Sequence, residues 1–236
     1  MSAIKLRENV WSVGILNPSL RVFDIVMTSP YGTSYNAYLV KGGEKTALIE
    51  TVHKDYFDQL VHNIEEVLPL EKLDYLIMNH TEPDHSGSVR ALLERCPNLT
   101  VLCSNPAKKF LSAIANEDFP CRVVKDGDTL DLGGKTLTFL SAPLLHWPDS
   151  MFTWDPADQT LFTCDFLGCH FCEPTMVDTG IHAEYRAHYE AELKNYFDCI
   201  FGPFKPAVLD GLNKMPAEAQ LVCPSDGPCL TPAPLE

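Results

Sequence analysis

The chain opens with short apolar runs that predict strands at 11–15, 22–27 and 34–40, and Lys41-Gly42-Gly43 turns it into another at 45–50. Between 54 and 67 the period changes. Phe57, Leu60, Val61, Ile64 and Val67 recur at helical spacing and predict an amphipathic helix. The run 73–78 is apolar apart from Asp74, as expected of a strand buried on both faces. Ser86-Gly87-Ser88 then opens a helix through Cys96, followed by a strand at 99–103 and a helix at 106–115 with Pro106 in its tolerated first turn. Five strands follow, at 121–124, 129–132, 136–141, 151–154 and 160–164, joined by turns such as Asp126-Gly127 and Gly133-Gly134. A long helix at 182–199 and a short strand at 219–223 complete the pattern. Two successive passages from strands to helices predict an α/β protein built as a four-layer αββα sandwich. In that architecture functional residues sit on loops at one end of the strands.

At 236 residues the chain is expected to be one domain spanning 1–236. A net charge of -14 argues against a nucleic-acid surface, which needs lysine and arginine against phosphate. No run approaches the ~18 apolar residues of a membrane helix, and the start MSAIKLRENVWSV lacks the apolar segment of a signal peptide. The 9 cysteines are scattered, and a chain this long builds a core without disulfides, so they read as reduced thiols of a cytoplasmic protein. The final Leu235-Glu236 is assigned no role.

The chemistry concentrates at His80-Thr81-Glu82-Pro83-Asp84-His85, directly after a buried strand. Pro83 forces its predecessor into extended or turn geometry, and a looped backbone aims neighbouring side chains in different directions, which suits a pair of metals better than one. The bland alternative is a solvated loop with capping carboxylates. His146 after the strand 136–141 and Asp165 after the strand 160–164 decide against it, because both are polar residues at strand ends, where ligands are expected. Elsewhere the bland readings prevail. Cys169 and Cys172 read as packing thiols, with His170 as a neighbour of the site rather than a ligand, and Cys223 and Cys229 read as buried and inert. Tyr185, Tyr189 and Tyr196 suit core packing, and His53, His62, His182 and His188 read as surface residues.

The segments HTEPDHSGS, LLHWPDSM and TCDFLGCHFC, supported by GTSYNAYLV and KNYFDCIFGPFKPAV, closely resemble those of flavodiiron proteins, and the resemblance spans the chain. It implies a metallo-β-lactamase-like domain with a non-haem diiron site. His80, Glu82 and His146 would hold one iron, Asp84 and His85 the other, and Asp165 would bridge them. Hydrolases of this fold carry a histidine where Glu82 stands; a carboxylate there favours iron over zinc. Three departures stand out. Where the family has a histidine in Pro-Ser-His-Gly-Pro, this chain has Asp226 in Pro224-Ser225-Asp226-Gly227-Pro228, which either ligates the second iron or leaves a position open. The family continues into a flavodoxin-like domain, so no FMN site is expected in this chain. A histidine common after Arg-x-Phe is replaced by Asp24 after Arg21-Val22-Phe23.

The resemblance implies a protein cycling between Fe2+ and Fe3+ that binds O2 as a ferric-peroxo adduct. Without a linked flavin, an oxygen sensor is expected ahead of an enzyme. This fits the branch of the family in which a stand-alone oxygen-binding diiron domain works in bacterial chemotaxis, with the histidine kinase, its coupling protein or a receptor as partner. The alternative is an O2 or NO reductase fed by a separate flavoprotein or rubredoxin; a binuclear zinc hydrolase is a weaker third reading. A homodimer is one expected assembly, and O2 or another small diatomic is the expected ligand.

Overall fold

Alternate residues of the first strands divide between two apolar cores. Leu39, Leu48, Leu76, Met78, Val101 and Cys103 face one way, and Tyr38, Val40, Ala47, Ile49, Ile77 and Leu102 the other. They belong to a seven-stranded sheet ordered Ile4–Arg7, Val10–Ser12, Tyr38–Lys41, Thr46–Ile49, Tyr75–Met78, Thr100–Cys103 and Cys121–Val123. The structure, a computed structural model, describes residues 2–118 and 121–232; Leu235-Glu236 lie outside the described residues.

A second, five-stranded sheet runs Thr129–Asp131, Thr136–Ser141, Met151–Asp155, Thr160–Cys164 and Leu221–Pro224. Its Leu137, Phe139, Phe162 and Leu221 meet the inner face of the first sheet in one shared core. Each such fully buried side chain contributes roughly 1.5–3 kcal/mol of transfer free energy. The outer face of the first sheet is covered by helices Phe57–Glu65, Val89–Arg95 and Asn105–Ala115 through Leu60, Ile64, Leu92 and Leu111. The outer face of the second, with Phe152, Leu161 and Val222, is covered by helices Arg186–Tyr196 and Lys205–Lys214 through Tyr189, Tyr196 and Val208. The result is the four-layer αββα sandwich.

Several local expectations are corrected. The stretch 22–27 is a small hairpin, Val22–Phe23 paired with Met27–Thr28, because Asp24 and Ile25 take positive φ of 46° and 69° and turn the chain. The helix expected from Ser86 begins earlier: Pro83–Ser86 is a one-turn helix with Pro83 at its start, and Val89–Arg95 follows separately. The long helix expected over 182–199 is Arg186–Tyr196, which widens into a π-turn at Phe197–Phe201 and ends at Gly202-Pro203. Helix Lys205–Lys214, not expected from the pattern, follows. Tyr189 and Tyr196 are core residues as read, but Tyr185 is 46% exposed. All 9 cysteines are unpaired. None of the described helices is long and apolar enough to cross a membrane.

Candidate metal centre

The seven residues singled out by the sequence converge at one end of both sheets. They form two groups, His80, Glu82, His146 and Asp165 in one and Asp84, His85 and Asp226 in the other, with the donor atoms of each group within 4.8 Å of one another. His80 and Glu82 leave the end of strand Tyr75–Met78, and Asp84 and His85 ride on the one-turn helix that Pro83 initiates. Asp165 directly follows strand Thr160–Cys164, and Asp226 follows strand Leu221–Pro224. His146 stands in a tight loop closed by Leu144 N–H donating to Trp147 O at 2.8 Å and Ala142 N–H to Ser150 O at 3.0 Å.

Asp165 spans the groups. Its Oδ2 lies 3.3 Å from His80 Nε2 and 3.1 Å from His146 Nε2, while its Oδ1 lies 2.9 Å from His85 Nε2. Glu82 Oε2 sits 3.0 Å from His146 Nε2, and Asp84 Oδ2 sits 3.3 Å from His85 Nε2. Asp226 Oδ2 lies 3.8 Å from His85 Nε2, so the carboxylate of the departure position reaches the second group. Access is uneven. Glu82 and His146 are 13% and 16% exposed, whereas the other five side chains are at most 6% exposed.

The surroundings hold these side chains in place. Asn79 ties the two sheets together beside His80: its N–H donates to Glu50 Oε1 at 2.9 Å, its Oδ1 accepts from Thr153 Oγ1 at 2.7 Å, and its O accepts from Met151 N–H at 3.0 Å. Asp149 Oδ1 lies 3.3 Å from His80 Nδ1, its other oxygen accepting from Thr81 Oγ1 at 2.6 Å. A carboxylate behind a ligating histidine fixes the ring and raises its basicity. The Asp226 loop is pinned from the first sheet by Asn36, whose Nδ2 donates to Pro224 O and Gly227 O at 2.8 Å each, and by Tyr38 Oη donating to Pro224 O at 2.5 Å. Gly227 at φ +74° supplies the left-handed turn this loop needs. Tyr196 Oη donates to Asp226 Oδ2 at 3.0 Å. His170 belongs to neither group; its Nδ1 lies 3.0 Å from Thr33 Oγ1 and its ring packs against Phe23 and Tyr196.

Sequence reasoning missed Asp149, Asn79, Glu50, Trp147 and the bond from Tyr196. Trp147 and Asp149 lie in the singled-out LLHWPDSM, and Trp147 stands edge-on to His80 with centroids 5.2 Å apart. Asn79 and Glu50 carry no sequence signal beyond being polar residues at the ends of buried strands. The Tyr196 bond depends on a tertiary contact 30 residues away.

The electrostatics show what the cluster lacks without a cation. Asp84 Oδ1 and Oδ2, His85 Nδ1 and Asp226 Oδ1 are buried with no hydrogen-bond partner, and His85 Nε2 has only the close Asp165 Oδ1 beside it. Each such orphan costs about 1–3 kcal/mol unless something satisfies it. Converging oxygens and imidazoles fit a pair of metal ions. Burial pulls the His146 imidazolium down, but hydrogen bonds to Asp165 and Glu82 outweigh it and lift its pKa to about 9. Burial acts the same way on His80 and His85, and the charge of Asp165 and its neighbours again prevails, holding both well above the ordinary value. Burial lifts Asp84 to about 6 and Glu50 to about 8. Burial, aided by Asp84 and Asp165, holds Asp226 well above the carboxylate range. Protons or metal cations must therefore balance the cluster.

This balance fixes the sign of a pH effect. In metal-free protein these raised groups make the native state bind more protons than the unfolded one, so stability should fall as pH rises from about 6.5 to about 9. With metal bound the ligands are deprotonated in the native state, and the dependence should reverse, stability rising with pH through about 6.5. Melting temperatures at the two ends of this range, with chelator and after anaerobic Fe(II) loading, check it. A chelated protein that gains stability with pH would contradict the assignment of protons to these imidazoles.

Residues 33–198 match the family model described as "ODP family beta lactamase". The chain belongs to this family. It is the metallo-β-lactamase-like diiron domain found in flavodiiron proteins. The chain is 53% identical over 98% of its length to flavo-diiron protein FprA2 of Clostridium acetobutylicum, covering 58% of that protein. Rubredoxin oxygen:oxidoreductase from Desulfovibrio gigas matches with a TM-score of 0.91 at 32% identity, over 98% of this chain and 57% of the other. The flavodiiron protein from Giardia intestinalis also gives a TM-score of 0.91, at 28% identity over 98% and 56% of the two chains. The chain thus spans somewhat more than half the length of these relatives. Membership of the family, with two ligand groups joined through Asp165, implies a diiron centre.

Proposed function

We propose that this domain reduces a small diatomic, O2 first and NO as the alternative substrate, with electrons from a flavoprotein or rubredoxin. The observation that carries the reading is Asp165, whose two oxygens face one ligand group each, so that two irons would sit side by side with Glu82 in the set. Two bound irons would supply electrons to both atoms of a diatomic at once. The relative named as a rubredoxin oxygen:oxidoreductase supports the same chemistry. This reverses the order expected from the sequence, where the sensor came ahead of the reductase.

The protein's own groups have definable tasks. His80, Glu82, His146, Asp84, His85 and Asp226 would hold the metals, and Asp165 would be shared between them. Asp149 orients His80. Burial and the nearby charges of Asp165 and Asp226 keep the Tyr196 phenol protonated, so it holds a proton at Asp226 Oδ2. The partly exposed edge formed by Glu82 and His146 is where an electron donor comes nearest. Asp24, whose carboxyl is raised by burial and by the charge of Glu82, stands beside that edge.

A second reading, oxygen sensing with a chemotaxis kinase, coupling protein or receptor as partner, draws support from Asp226, because an extra anionic ligand favours ferric iron and slow turnover. The two separate in one experiment. Fe(II)-loaded protein is exposed to O2 with and without a reduced flavoprotein and rubredoxin, and oxygen uptake and visible spectra are followed. Sustained donor-dependent oxygen consumption is expected. A coloured species that persists for minutes, with no turnover when the donor is added, would overturn the reductase reading in favour of sensing. Two zinc and no iron after expression in iron-replete medium would sink both.

A further inference from the structure

The second ligand group is shut off from the surface that the first group reaches. Asp84, His85, Asp165 and Asp226 have side chains no more than 6% exposed. Beside the ligand cluster lies a cavity of about 610 Å³ that shares wall residues with it. Three residues form this common wall. Tyr196 lines the cavity and donates its hydroxyl to Asp226. Phe201 lines it and stands edge-on to His146, centroids 6.2 Å apart. Gly168 lines it with no side chain. A Cβ built there would lie 3.0 Å from Asp165 O and Asp226 O and 3.5 Å from Asp226 Cβ, so at this point only backbone separates the cavity from the ligands.

The chemistry of the lining selects the occupant. Asp178, Arg186 and Glu190 give the lining a charged part, but most of it is apolar, with Leu193 beside Phe201 and Leu230, which are 2% and 4% exposed. Apolar walls of this kind can hold uncharged gases such as xenon. The wall itself widens at this point, since Phe197–Phe201 is the π-turn, a feature that recurs at functional sites.

We propose that this cavity is the entry route and holding site by which an uncharged diatomic gas reaches the Asp84–His85–Asp226 side of the centre, passing Gly168 and Tyr196. Electrons are left to the partly exposed edge at Glu82 and His146. The proposal rests on the diatomic chemistry proposed above, and its test separates the two.

Crystals of the full chain pressurised with xenon should show density against Leu193, Phe201 and Leu230. Leu193→Trp should fill the space and displace the xenon. In Fe(II)-loaded protein it should slow NO association, followed by stopped flow, at least about tenfold, a barrier rise of about 1.4 kcal/mol. Iron content and melting temperature are expected to stay at wild-type values, and Leu193→Ala should restore or raise the association rate. An absence of xenon in wild-type crystals would overturn the route, as would unchanged NO association once tryptophan has displaced the xenon. Wild-type protein that takes up xenon yet binds no NO at its irons would instead overturn the proposed function.

Discussion

Replacing Asp165 with asparagine is expected to remove the ability to hold two metals while leaving the backbone almost unchanged. The carboxylate faces His80 and His146 with Oδ2 and His85 with Oδ1. An amide keeps one oxygen, turns an NH2 toward the other metal position, and loses the charge. Purified Asp165→Asn protein should carry at most one equivalent of iron, and donor-dependent O2 reduction should fall by more than the roughly 100-fold typical of losing an outer partner of a ligand. Stability should change as well. Asp165 is nearly fully buried, and the charges of His80 and His85 hold its carboxyl far below its usual range despite burial. Breaking a buried ion pair from one side costs roughly 3–5 kcal/mol; here the imidazoles can shed protons, which places the metal-free variant near the lower figure. Metal analysis and chelator-treated melts measure both. Retention of two irons at wild-type affinity would show that Asp165 does not bridge.

How much of this was legible beforehand follows from which forces are local. The apolar periodicity at 57–67 and the mostly apolar run at 73–78 report burial directly, so helix Phe57–Glu65 and strand Tyr75–Met78 appear within a few residues of the expected places. The boundaries that moved are those decided by backbone geometry. Val22–Met27 looks strand-like in side chains, but positive φ at Asp24 and Ile25 folds it into a hairpin. Helix Lys205–Lys214 escaped because Pro206 and Gly211 interrupt its pattern; a Cβ at Gly211 would press on the end of the Leu145 side chain.

The ligands were legible because chemistry-bearing side chains at strand ends are few, and because one six-residue run holds four of them. Their supports were not. Asn36, Tyr38 and Asn79 act through backbone carbonyls and amides up to 191 residues away, and sequence spacing carries no trace of such contacts. The segment GTSYNAYLV was singled out by resemblance alone, and the structure supplies its reason: Ser34, Asn36 and Tyr38 hold the loop that carries Asp226.

That loop bears the substitution with the most informative outcome. With Glu82, Asp84, Asp165 and Asp226 ionised, four carboxylates balance two divalent cations (4 − 4 = 0), whereas oxidation leaves the buried site positive. Asp226 thus lowers the cost of the ferric state. Asp226→His removes one anion and should raise the midpoint potential on the order of 100 mV or more, the scale of one unit charge lost at contact distance with an effective dielectric of about 20. The reduced centre becomes easier to regenerate, so donor-dependent O2 reduction should quicken, and any coloured oxygen species seen without donor should decay faster. Tyr196→Phe serves as the control on packing: it keeps the carboxylate and its charge but removes the hydroxyl bond at 3.0 Å, so it should disturb proton delivery while shifting the potential less. Spectroelectrochemical titration of the three proteins reads the potentials directly. An unchanged potential in Asp226→His would mean that Asp226, although 3.8 Å from His85, stays protonated and does not ligate; the second metal would then rest on Asp84, His85 and Asp165 alone.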